Sequence, residues 1–137
     1  MDTQKIKAVI KNQVTEVTVK YDVENLVMTF SEADNFKKFY QGKDIYACLA
    51  KVRADFPHIK FLCKGAKINV MPSRMASQMS AGLVAYEMAL GKPASRDDIV
   101  NIFDHEENNL TNNPQEQINF FKEWLTSLNA ENYEKFN

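Results

Sequence analysis

Residues 59–103 constrain the fold more than any other stretch, because they read in order as a strand, a basic loop, a helix and a second strand. Ile59 to Cys63 is a compact apolar run of strand length, and Ile68 to Met71 is a second short strand or an extended loop. Pro72-Ser73 then opens a helix in which Met75, Met79, Leu83, Tyr86 and Leu90 recur at steps of three or four, and Gly91 followed by Pro93 closes it. Ile99-Val100-Asn101-Ile102-Phe103 is too short and too uniformly apolar for an exposed helix, and reads as a buried strand. That order predicts a right-handed crossover between parallel neighbours. Ala76, Ala81, Gly82, Ala85 and Ala89 are small enough to let the helix lie close against a sheet.

The rest of the chain supplies the other layers. Lys5 to Ile10, Val14 to Lys20 and Leu26 to Phe30 are rich in Val, Ile, Thr and Tyr, and turn residues between them predict an antiparallel meander. Ser31 with Asp34 has the form of a capping box before a short helix through Phe36, Phe39 and Tyr40. Ile45, Cys48, Leu49 and Val52 have helical spacing that ends near Phe56-Pro57. Asp104 to Asn113 is a polar loop, and Asn113-Pro114-Gln115-Glu116 opens a last helix whose inward stripe is Ile118, Phe121, Leu125 and Leu128, widened by Phe120 and Trp124. The reading is α+β: residues 1–137 as a single domain, a mixed sheet with an antiparallel N-terminal meander and a C-terminal βαβ unit flanked by helices.

Length and composition fit that reading. The 137 residues are 45% hydrophobic and 26% charged, enough for a core without metals or disulfides. The first residues lack the apolar core of a signal peptide, and no run approaches membrane-spanning length, so a cytoplasmic protein with reduced Cys48 and Cys63 is expected. Charge is distributed unevenly. Residues 1–96 carry 15 Lys+Arg against 9 Asp+Glu, whereas residues 97–137 carry 2 against 9. A negative surface speeds association with a basic protein and repels nucleic acid, so no direct nucleic-acid contact is expected.

Two groups of residues are candidate sites. Lys64, Gly65, Lys67, Ser73 and Arg74 place cations and a capping serine where the basic loop enters the 73–90 helix, an arrangement that attracts a small anion or nucleotide. The spacing is neither a Walker loop nor a dinucleotide fingerprint. Alternatively these residues are a solvated strand-to-helix junction. Cys63 near His58 invites a nucleophile, but alternation along 59–63 puts the thiol in the core. His105 among Asp104, Glu106 and Glu107 is read as a solvated acidic loop rather than a metal site, and no cofactor is implied. Met71, Met75, Met79 and Met88 are read as core filling, with an adaptable contact surface as the alternative.

The phrases DIYACLAKVRADF, LCKGAKINVMPSRMASQMSAGLVAYEMALGKPA and IVNIFD, spanning Gly42 to Asp104 or somewhat under half the chain, resemble bacterial immunity proteins of contact-dependent inhibition and rearrangement-hotspot toxin systems. The matching positions are Cys63, Gly65, Ala66, Pro72, Ser73, Met75, Ala85, Tyr86, Leu90, Gly91, Lys92, Ile102, Phe103 and Asp104, with departures at Arg74, Ser77 and Ser80. The resemblance implies a non-enzymatic protein that binds one cognate toxin domain and blocks its active site or substrate path; the lack of a membrane-spanning run separately predicts no membrane partner. Since toxic nucleases present basic clefts, Asp97, Asp98, Asp104, Glu106 and Glu107 are candidate contacts, with Tyr46 and Trp124 as anchors wherever they reach the surface.

Overall fold

Alternation of apolar and polar side chains builds the first sheet. In a computed structural model, which describes residues 1–32 and 37–131, β1 (Asp2–Ile10) and β2 (Gln13–Asp22) form a long antiparallel hairpin. Lys11 and Asn12 form its tight turn at φ 51° and 65°, the left-handed geometry that matches the twist of the flanking strands. Ile6, Ala8, Val17 and Val19 point into the core, while Lys5, Lys7, Glu16, Thr18 and Lys20 stay in water.

β3 (Val27–Phe30) and β4 (Lys38–Gln41) extend the sheet beside β2, and β5 (Ile59–Phe61) closes the far side of β1. The order is β4-β3-β2-β1-β5, antiparallel throughout. Phe39 and Tyr40 therefore belong to an edge strand and not to a helix: Tyr40 is buried and Phe39 exposed, the alternation of a strand. Asp34 and Phe36 lie outside the described residues.

α1 (Ile45–Asp55) forms where its spacing predicts. The Asp44 carboxylate accepts the Ala47 N–H at 2.7 Å to cap it, and the helix ends before Pro57. Ile45, Cys48, Leu49 and Val52 are fully buried, and the helix lies over β3 and β4. Phe30 meets Phe56 and Phe61 edge-on at 4.9 and 5.6 Å in this core.

The second half departs from the expected crossover. β6 (Val70–Met71), β7 (Val84–Glu87) and β8 (Ile99–Asn101) form a separate sheet in the order β6-β7-β8, again antiparallel. There is no mixed sheet and no βαβ unit among the described residues. The helix expected over 73–90 stops early: α2 spans only Arg74–Met79, and Ala81 and Gly82 at φ 55° and 75° reverse the chain into β7. A left-handed pair ends a helix whatever the periodicity beyond it. Gly82 fits because a Cβ there would lie 2.7 Å from the Asp44 carboxyl carbon. Ile99 is 44% exposed on an edge strand rather than buried, while Ile102 and Phe103 beyond it enter the core.

α3 (Pro114–Glu131) begins at the predicted cap, with the Gln115 N–H donating to Asn113 Oδ1 at 3.0 Å. Its inward face is turned from the expected stripe, since Gln117 and Trp124 are buried while Ile118 and Leu125 are exposed. No helix among the described residues is long and apolar enough to cross a membrane.

Candidate functional site

The basic loop folds as a 3-10 turn over Lys64–Ala66, which sets Lys64 and Lys67 three residues apart. Gly65 lets that turn press on the core: a Cβ there would meet Leu49 Cδ2 at 2.7 Å and Ile102 Cβ at 3.1 Å. The Lys64 N–H donates to Asp104 O and the Gly65 N–H to Ile102 O, each at 2.8 Å, so residues 102–106 are strapped alongside.

That strap brings Glu106 under the two amines. Lys64 Nζ lies 2.6 Å from Glu87 Oε1 and 2.9 Å from Glu106 Oε1, and Lys67 Nζ lies 3.0 Å from Glu87 Oε2 and 2.7 Å from Glu106 Oε1. Two ammonium groups and two carboxylates close a neutral quartet. Glu106 Oε2 also accepts the N–H groups of Glu107 and Asn108, both at 2.9 Å. Burial pushes the Glu106 carboxyl up, but the lysine hydrogen bonds, the Asn108 N–H and the lysine charge outweigh it and hold it down at about 2. Burial likewise opposes the charged forms of Lys64 and Lys67, yet their glutamate partners raise both above the ordinary lysine value.

Two sequence expectations fail here for one reason. Lys64 and Lys67 do not present charge to a ligand, and Glu106, 8% exposed, does not face a partner, because each neutralises the other. The remaining carboxylates divide. Asp98 accepts the Ser95 N–H at 2.9 Å, which is first among the causes that lower its pKa, and lies 3.7 Å from Lys92. Asp104 accepts the Asn101 N–H at 3.1 Å but stays exposed. Glu107 is exposed beside His105 at 3.2 Å, and Asp97 is exposed.

Ser73 and Arg74 lie elsewhere, on a cleft of about 770 Å³ between α1, α2 and the start of α3. Ser73 Oγ accepts the Ala76 N–H at 3.0 Å and so caps α2, while Arg74 is exposed at the rim. Ala47, Ala50 and Ala54 of α1 form one wall, and Met71, Ile118 and Phe121 face them. The one carboxylate among the described residues lining the cleft, Asp44, is buried and accepts at both oxygens: Oδ1 from the Ala47 N–H, Oδ2 from the Ser77 hydroxyl at 2.6 Å.

Gln117 at the base of this cleft was not singled out by the sequence. Its amide donates to Gly65 O at 3.0 Å and Lys67 O at 2.8 Å, and its carbonyl accepts from Arg53 Nη2 at 2.6 Å. Arg53 is fully buried, donates also to Thr111 O at 2.6 Å, and leaves Nε without a hydrogen bond among the described residues. Burial lowers its pKa. The only sequence signal for this network was that Arg53 sits beside Val52 on the apolar face of α1.

Other candidates are resolved by burial. Cys63 is fully buried and its thiol is pushed up to about 11, mainly by desolvation, which suits a core residue and not a nucleophile. His58 lies 3.0 Å from Glu32 rather than near Cys63's chemistry. Tyr46 and Trp124 are both buried and donate to Val70 O and Lys92 O, so neither is a surface anchor. Met75 and Met79, expected in the core, are 72% and 82% exposed, because α2 ends before it can cross the sheet. Comparison with models of known protein families finds no match for this chain, and comparison with curated proteins finds none either.

Proposed function

We propose that this chain is a cytoplasmic immunity-type protein that binds one cognate toxin domain stoichiometrically and performs no chemistry of its own. The observation that carries the reading is the exposure of Asp97, Asp104 and Glu107: none pairs with a lysine or arginine among the described residues, unlike Glu106 and Asp98. Unneutralised surface carboxylates attract a basic protein, and a nuclease with a cationic substrate cleft is the partner that chemistry suits. The resemblance over residues 42–104 points to the same class. Met75 and Met79, one helical turn apart, add an apolar contact patch of the adaptable kind.

The test is co-expression with the product of the neighbouring upstream gene, followed by light scattering on the purified material. A one-to-one complex whose association slows as salt rises is expected. Replacing Asp97 and Glu107 together by Lys should slow association by about tenfold or more while leaving the fold intact. Absence of a complex, or a complex indifferent to both salt and charge reversal, sinks the proposal.

A second reading has its own observation, the cleft beside Ser73 and Arg74. It makes the chain a small-ligand binder, with the site moved from Lys64 and Lys67 to the space between the helices.

A further inference from the structure

We infer that the cleft between α1, α2 and α3 is a site for an amphipathic organic anion, a molecule with an apolar body and a single anionic head. The inference rests on the second reading above, that the cleft is a ligand site, and gives it a chemical class. A volume of about 770 Å³ lies within the range that encloses a small organic ligand. Polarity is segregated within it. Lys43 precedes the α1 cap and Arg74 opens α2, and the two elements are joined by the Ser77 to Asp44 hydrogen bond at 2.6 Å. Both cations therefore flank one end of the cleft.

Neither Lys43 nor Arg74 makes an ion pair among the described residues, and the one carboxylate among the described residues lining the cleft, Asp44, is buried and turned to Ala47 and Ser77, so two cations stand against one acid and that end keeps a net positive charge. The third lining cation, Lys51, donates to Gln41 O. Toward Ala54 the walls are mostly apolar, formed by Ala50, Ala54, Ile118 and Phe121, with Lys51 and Gln117 as the polar side chains among them. From Ile45 to Ala54 the helical rise gives about 13 Å of length. An anionic head between Arg74 and Lys43 gains charge-assisted hydrogen bonds, while its body covers apolar wall that is otherwise wet. A polar anion such as phosphate satisfies only the first condition, and a neutral apolar molecule only the second.

Three probes separate these cases: decanoate, decanol and inorganic phosphate, each titrated while amide resonances of α1 and α2 are followed by NMR. Decanoate is expected to shift residues of the cleft and to raise the melting temperature. Arg74→Met should weaken it about tenfold. Ala54→Phe, a substitution at an exposed position of the wall, should block it without unfolding the protein. Decanol binding as tightly as decanoate, and insensitive to Arg74→Met, keeps the cleft as a ligand site but overturns the anionic class. Phosphate binding as tightly as decanoate overturns the need for an apolar body. No shift in the cleft with any probe overturns both the class and the ligand-site reading, and leaves the partner-binding proposal standing.

Discussion

Two pairs of cations, Lys64 with Lys67 and Lys43 with Arg74, have opposite fates in the fold. The first pair is closed off by Glu87 from β7 and Glu106 from the strap after β8, with all four contacts between 2.6 and 3.0 Å. The second lines an open cleft in which Asp44, the one carboxylate among the described lining residues, accepts from Ala47 and Ser77 and pairs with neither cation. What decides whether a lysine can meet a ligand is not its own position but whether a distant acid reaches it first. Glu106 is separated from Lys64 by the whole of α2, β7 and β8.

The comparison is broken most severely by removing the acid that holds the first pair shut. Glu106→Ala deletes the acceptor shared by Lys64 and Lys67, and it orphans the Glu107 and Asn108 N–H groups. The two ammonium groups are then left against Glu87 alone in a largely desolvated site. Denaturant unfolding should show a loss of about 3 kcal/mol. A loss under about 0.5 kcal/mol means that the quartet is an ordinary solvated surface pair, and the contrast with the cleft disappears.

Gly65 tests the scaffold under the same pair. An alanine methyl must displace Leu49 Cδ2 at 2.7 Å and press on Ile102, so the turn carrying both lysines is pushed out of register with the strap. Gly65→Ala should cost about 2 kcal/mol, read by thermal unfolding. Lys43 and Arg74 have no such dependence, because Asp44 anchors their end of the cleft through the α1 cap and Ser77.

This contrast also marks how far local sequence carries. The hairpin of β1 and β2 follows its period-2 pattern, and α1 and its cap follow Asp44 and the 45–52 spacing, because in each the buried face repeats at the element's own period. The α+β class was legible for the same reason. The 73–90 region was not: its small residues and methionines fit a long helix, but the chain reverses at Ala81 and Gly82, where Ala81 O accepts the Ile45 N–H and Gly82 lies against Asp44. Tertiary context overrode the helical period. The quartet was invisible because Glu87 and Glu106 meet the lysines across 20 to 42 residues of chain. In the cleft, Ser73 and Arg74 were found from the helix start, while Gln117 and Phe121 come from α3, which nothing local ties to α2.

Acid titration of the quartet has a smaller effect, since a neutral Glu106 keeps its shape and part of its hydrogen bonding. The folded-state carboxyl is held at about 2, below the value near 4.3 of an unfolded glutamate, so the unfolded chain binds the proton more readily. The stabilisation is therefore complete above about pH 4.5 and is lost as the pH falls toward 2. Glu87, also lowered although burial acts against it, adds to the loss in the same direction through its bonds to both lysines. Unfolding free energy should fall over that window in the native chain and fall less steeply in Glu106→Gln. Parallel slopes for the two proteins remove Glu106 as the source.

The smallest change belongs to the open pair. Lys43→Met and Arg74→Met each remove a charge that makes no ion pair among the described residues, and Met retains most of the apolar stem that lies along the cleft wall. Each should alter the unfolding free energy by less than about 0.5 kcal/mol. Lys67→Met, by contrast, strips two hydrogen bonds from the quartet and leaves Glu106 with a single ammonium partner, so its cost should be larger than either. If Arg74→Met proves as costly as Lys67→Met, Arg74 has a structural partner after all. A cation that holds the fold together cannot also be free to hold a ligand, and the two ends of the comparison would then describe one kind of residue.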